Sequence, residues 1–347
     1  MRPLTDAELE RLRRDLRRAL GERTSAAADP LRAGLARARP FPHASRAPRS
    51  GAIVGIDGSA YPLLVEEGRA VIVVCVAAAR FDARAGVAGL ASRGCELSLG
   101  LHVVGDTDRP HPLAGAEALF DEAEIAEALQ RNTGALPPAS DVDGWCGWIR
   151  RTAEWAAAAA VSGAALVLVD SRFPPPGGPD GVRAAARALR RFAARRVEDR
   201  GGRLLAVSRW TGIRAENAFE SQLPATLGEP WYARLRDPEE DVRAVLAAFH
   251  CRRLRLEWIA ATCADSRWGD LAECLTALDH ASHADAAPSY PLPLREAHVA
   301  CTLDRAARAA IAREAKAVLR ERGIDDRALL DAGIRSGHAP SRGSGTA

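Results

Sequence analysis

Val54-Gly55-Ile56-Asp57-Gly58-Ser59 is a short apolar run that breaks on an aspartate, and Leu166-Val167-Leu168-Val169-Asp170-Ser171 repeats the arrangement further along the chain. Each reads as a buried strand rich in Val, Ile and Leu that ends on a turn signal. In an open α/β sheet, ligands gather beyond the carboxyl ends of the strands, so two such aspartates on neighbouring strands would meet at one site. A pair of carboxylates there suits a hard divalent cation, Mg²⁺ or Mn²⁺, which takes oxygen ligands and activates water against a phosphodiester. A lone Asp-Gly is more simply a turn or a cap. The second strand-terminal aspartate lifts the pattern above that reading.

Outward from these two runs, Ala70 to Ala79 and Cys95 to Val104 have strand character, and three strands in succession predict antiparallel hairpins. Helical periodicity follows at about 115–131 and 142–162. The strand 164–169, a helix at 180–199 and the strand Leu204 to Val207 come next, an alternation that favours parallel pairing. The expected fold is therefore α/β: a ribonuclease-H-like mixed sheet flanked by helices, with added C-terminal helices. Residues 241–262 predict a further helix and then a strand around Arg253 to Ile259. Helices are expected again at 269–282 and from Pro293 to about Arg322.

At the N-terminal end, Thr5 with Glu8 three residues on reads as a capping box, and leucines 9, 12, 16 and 20 give an amphipathic, Arg-rich helix. That helix could lie on the domain, on DNA phosphates or on a protein partner. Residues 40–50 read as a linker. The expected organisation is an N-terminal helix and linker over 1–50, a nuclease-like domain over 51–322, and a tail over 323–347 that is Gly-, Ser- and Arg-rich from Ser336.

The chain has 347 residues, 47% of them hydrophobic, enough to fill a proper core. No apolar run approaches the roughly 20 residues that span a bilayer, and the start lacks a secretory apolar region, so a cytoplasmic protein is expected. The seven cysteines are scattered with no Cys-x-x-Cys pair and read as reduced, mostly buried thiols. The net charge of +3 is too small to argue for nucleic acid by itself. It is unevenly placed, however: residues 1–50 carry twelve Arg against six acidic residues, a local +6 that leaves −3 for the rest.

Other chemistries fail on the same residues. A phosphoaspartate enzyme would want a second Asp two positions after Asp57, where Ser59 stands. Gly-x-Ser-x-Gly is not present around Ser59. There is no Gly-x-x-x-x-Gly-Lys-[Ser/Thr], and Lys316 is the sole lysine, so the chain is not itself a P-loop ATPase. Gly177-Gly178-Pro179 reads as a turn. His280 and His283 are spaced for a metal on a helix but read more simply as an exposed pair.

Four blocks together resemble the NurA nucleases: Val54 to Ser59, Leu166 to Ser171, Leu205-Ala206-Val207-Ser208-Arg209, and Tyr290-Pro291-Leu292-Pro293-Leu294-Arg295-Glu296-Ala297-His298. The last block is the most specific, and the four span about residues 51–305. The resemblance implies a ribonuclease-H-like fold, DNA hydrolysis with Mn²⁺ or alternatively Mg²⁺, a homodimer, and a HerA-type hexameric ATPase as partner in DNA end processing. It matches Asp57 and Asp170 to the family's metal-binding aspartates and His298 to its C-terminal histidine. It also places a glutamate on the helix before the second aspartate strand. That makes Glu154 the fourth candidate, whereas Asp141 and Asp143 sit near the helix start where capping is more natural. Members commonly carry a lysine where this chain has Arg209. Arginine can hold a phosphate, but its high pKa bars it from acting as a base. The reaction expected is exonuclease or endonuclease cleavage of DNA. Two readings stay open beside it: a catalytically weak adaptor that docks on the ATPase and guides DNA, and a ribonuclease, since the fold does not choose the sugar.

Overall fold

The computed structural model describes residues 38–40, 51–66, 69–83, 90–105, 141–171, 180–208, 230–235, 242–249, 252–259, 268–282, 290–321 and 330–331. The predicted helices at 5–20 and 115–131, Arg209, and the tail beyond 331 lie outside these residues. The strands are β1 (Arg39–Pro40), β2 (Gly51–Glu66), β3 (Arg69–Ala83), β4 (Leu90–Gly105), β5 (Ala164–Asp170), β6 (Arg203–Ser208), β7 (Trp231–Arg234), β8 (Val242–Phe249), β9 (Arg252–Ile259) and β10 (Leu330–Asp331). The helices are α1 (Val142–Ala160), α2 (Asp180–Asp199), α3 (Trp268–Ala281), α4 (Leu292–Cys301) and α5 (Arg305–Glu321).

The strands form one sheet in the order β1-β7-β8-β9-β6-β5-β2-β3-β4, with β10 pairing β2. Strands β2, β3 and β4 run antiparallel as a meander, while β2, β5 and β6 are parallel. The segment β4-β3-β2-β5-β6 is the mixed ribonuclease-H-like core that the alternation predicted. Its central strands are buried on both faces: Val73, Val74, Cys75 and Val76 of β3 and Leu166 to Val169 of β5 all lie in the core. This is why they read as continuous apolar runs rather than as alternations.

Helices cover both faces. On one, Trp145, Trp148, Ile149, Trp155 and Ala158 of α1 pack with Leu189, Phe192 and Val197 of α2 against Val54, Ile56, Val74 and Val167. On the other, Leu271, Leu275 and Leu278 of α3 and Leu294 of α4 pack against Ile53, Leu166, Leu168 and Leu205. Ala297 and Cys301 of α4 pack against Cys75 and Ala77, and α5 covers Leu64 and Val73. Because side chains alternate along a strand, odd-numbered residues of β2 near position 53 face α4 and even-numbered ones face α1. Helix α1 begins where Asp141 accepts a hydrogen bond from the Gly144 amide at 2.9 Å, the capping role expected of it.

Four expectations are corrected. Strand β2 does not end at Asp57-Gly58: it pairs with β3 from Gly51 to Glu66, and only its parallel pairing with β5 stops there. Residues 242–249 are strand β8, not helix. Val242 and Ala244 to Ala248 are all buried between β7 and β9, and burial on both faces outweighs the helix propensity of alanine. The single helix from Pro293 is two, because Asp304 caps α5 through its carboxylate on the Ala307 amide at 2.7 Å. His280 is buried rather than exposed, as are its neighbours Leu278 and Asp279, while His283 lies outside the described residues. Arg39–Pro40, within the predicted N-terminal segment over 1–50, pair with β7 and so join the sheet. Of the described cysteines, 75, 146, 274 and 301 are buried free thiols and Cys95 is exposed. No helix among the described residues is long and apolar enough to cross a membrane.

Candidate active site

The parallel register sets Ile56 against Val169, so Asp57 and Asp170 come next, side by side, where β5 ends. Asp57 is buried and faces the α4 layer. Its Oδ1 accepts the Gly58 amide at 2.8 Å, and its Oδ2 lies 2.6 Å from His298 Nδ1. With Nδ1 carrying the proton, the ring donates to the carboxylate and leaves its Nε2 lone pair free in the neutral form. The His298 side chain is 52% exposed, so the histidine meets both a buried carboxylate and solvent.

Two close backbone approaches place this histidine. Pro293 stands in the first turn of α4, where its missing amide costs nothing. A Cβ on Gly55 would lie 2.2 Å from the Pro293 carbonyl carbon, so α4 rests directly on the β2 backbone and only glycine leaves room. At the other end of α4, the Ser59 hydroxyl donates to the Cys301 carbonyl. Strand and helix are thus clamped at both sides of the Asp57–His298 contact.

Glu154 arrives from the opposite face on α1 and is fully buried. Its Oε1 accepts from Arg150 Nη1 at 2.7 Å, while Oε2 is buried with no hydrogen-bond partner. Gly58 makes room for it too, since a Cβ there would lie 3.0 Å from Glu154 Oε1. Burial pushes the Glu154 carboxyl up to about 8, against the pull of Arg150 and with further upward pressure from Asp57 and Asp170. The raised value means that desolvation outweighs the ion pair. Asp57 is raised as well, first by burial and then by the neighbouring Asp170 charge, with the His298 hydrogen bond opposing.

Thus four of the candidates, Asp57, Glu154, Asp170 and His298, come together, and Arg209 follows the last described residue of β6. Among the described residues, no three His, Cys, Asp or Glu side chains form a ready-made metal cage. One oxygen of each carboxylate is engaged within the chain: Glu154 Oε1 by Arg150, Asp57 Oδ2 by His298, and Asp170 Oδ2 by Tyr290, whose hydroxyl donates to it at 2.5 Å. Tyr290 and Arg150 were not singled out from the sequence. The four-residue spacing of Arg150 and Glu154 on a helix could have revealed the second; Tyr290 had only its place in the fourth block.

The site thus sets three carboxylates and a histidine at the end of the parallel strands of a ribonuclease-H-like sheet. No family model and no curated protein matches the chain. Among solved structures, Endonuclease V from Ciona intestinalis in complex with a 24mer DNA containing an inosine followed by a ribo-adenosine is 10% identical, with a TM-score of 0.33, over 75% of this chain and 89% of that one. An aspartate-to-asparagine variant of that protein with a 23mer DNA is 11% identical, with a TM-score of 0.34, over 75% and 88%. At this distance neither structure bears on what the chain does.

Proposed function

We propose that the chain is a divalent-metal-dependent deoxyribonuclease like the NurA nucleases it resembles in sequence, an exonuclease or endonuclease that hydrolyses DNA phosphodiesters in end processing. On this reading it works in the cytoplasm as a homodimer with a HerA-type hexameric ATPase, which supplies the motor that a chain without a P-loop lacks. The observation that carries the proposal is the convergence of Asp57, Glu154, Asp170 and His298 from β2, α1, β5 and α4 onto one end of the sheet.

The donor set fits Mn²⁺ or Mg²⁺. Asp57 and Asp170 present carboxylates that repel one another, and Glu154 keeps one buried oxygen unpartnered. A hard cation bound between the two aspartates would relieve that repulsion, and the free Glu154 oxygen is a further donor of the kind such an ion takes. When bound, it supplies an activated water and neutralises charge on the scissile phosphate. Asp57 also fixes the ring of His298, whose exposed side is the one able to reach substrate. As imidazolium it can hand a proton to the departing oxygen, and as imidazole it can serve as a further ligand.

Linear labelled DNA incubated with Mn²⁺, Mg²⁺ or EDTA is the direct test. Cleavage should require the cation, and Asp57→Ala or Asp170→Ala should abolish it while the circular dichroism spectrum stays native. Near-normal activity in either purified variant would remove the proposal. Equal turnover of matched RNA would move it to a ribonuclease.

A further inference from the structure

The described sheet ends on β4, and most of that strand is uncovered: every residue from Ala91 to Leu99 is exposed, while Val104 near its end is buried. Leu97, Leu99, Leu101 and Val103 are 49%, 55%, 53% and 49% exposed. They pair with Ala77, Cys75, Val73 and Val71 of β3, which are buried beneath α4 and α5. The apolar face of the sheet therefore continues one strand beyond the helices that cover it. Protein edges are normally blunted by charge, proline or a bulge. Residues 97–104, Leu-Ser-Leu-Gly-Leu-His-Val-Val, contain no proline and no Asp, Glu, Lys or Arg, and the bulge of the β3–β4 ladder, where Arg93 of β4 is the extra residue beside Gly94, lies before this run.

We propose that β4 pairs antiparallel with β4 of a second copy of this chain about a two-fold axis at Leu99, joining two sheets into one. The pattern of β4 is self-complementary in that register. Leu99 meets Leu99, Leu97 meets Leu101, Cys95 meets Val103 and, on the other face, Glu96 meets His102. A two-fold contact requires this reciprocity. Sliding the centre to Ser98 puts Glu96 against Gly100, and sliding it to Gly100 puts Glu96 against Val104, so of these three only the Leu99 register sets the acid opposite a polar side chain, the His102 imidazole. Facing pairs of this kind determine register in antiparallel sheets. The NurA resemblance implies a homodimer but assigns it no surface. This interface uses none of the four site residues, so it stands or falls separately from the cleavage proposal.

Sedimentation of the full chain at micromolar concentrations should show a dimer. Leu99→Asp sets two carboxylates against each other at the axis and should raise the dimer Kd at least about tenfold. Glu96→Lys, an exposed change that leaves folding intact, should weaken the dimer, and adding His102→Glu should restore it. A monomeric wild-type chain would overturn the interface, as would a dimer indifferent to both Leu99→Asp and Glu96→Lys. So would dimerisation that appears only after deletion of residues 1–37, since the N-terminal segment would then be the occupant of the stripe.

Discussion

Glu154 holds its proton to about pH 8 in the folded chain, whereas an ordinary glutamate loses it near 4.5. Between these values the folded state binds a proton that the unfolded state has released, so stability falls as pH rises through this window and levels off above it. Glu154→Gln stays neutral throughout. In EDTA-containing buffer its melting temperature should therefore gain on the wild type steadily from about pH 5 to pH 8. A difference that did not vary with pH would show that Glu154 is already ionised. His298 raises a different question, because a histidine on a helix is often only a hydrogen-bonder. Its contact with buried Asp57 and its half-exposed ring give it access to substrate. His298→Ala should lower the cleavage rate by at least roughly 10²-fold with little loss of DNA affinity, the low end of what a positioned acid or base contributes. A variant that cleaved normally, or lost activity only by unfolding, would make the residue structural.

The helix that carries His298 depends on a glycine two residues before Asp57 in the facing strand. Gly55→Ala would set its Cβ 2.2 Å from backbone of Pro293, which cannot yield as a flexible side chain would. Helix α4 must then move off β2, at a cost of about 1–3 kcal/mol for overpacking, carrying His298 away from Asp57. The expected outcome is a lower melting temperature together with a loss of activity out of proportion to it. Unchanged melting and unchanged cleavage would show that α4 does not rest on Gly55. Gly58→Ala is milder, since its Cβ would meet a glutamate side chain at 3.0 Å, and its effect should fall on Glu154. The element boundaries also show what periodicity misses. Strand β8 reads as helix because alanine and leucine fit either state locally, and the choice was made by its neighbours β7 and β9.

At the scale of the whole molecule, the proposed partnership with an ATPase can be tested apart from chemistry. Deleting residues 1–37 removes the leucine-striped, Arg-rich segment but spares Arg39–Pro40, which belong to the sheet. Co-elution with the ATPase should weaken more than metal-dependent cleavage of DNA by the isolated chain. Complex formation unaffected by the deletion would reassign that segment. The β2-to-β6 core and helices α1 to α3 were legible in the sequence because their apolar residues repeat at the strand or helix period, and a period needs only neighbouring residues. The two aspartates were legible for the same reason, each closing such a run. His298 and Glu154 were reached only through the resemblance, as their own surroundings bear no chemical mark. Tertiary structure alone decided the rest: that β2 runs on past Asp57, that Tyr290 reaches Asp170 from 120 residues away, and that Glu154 is fully buried with one oxygen unpartnered. Each of these depends on contacts between segments far apart in the chain, and local pattern carries no record of which distant backbone will come to lie against a given residue.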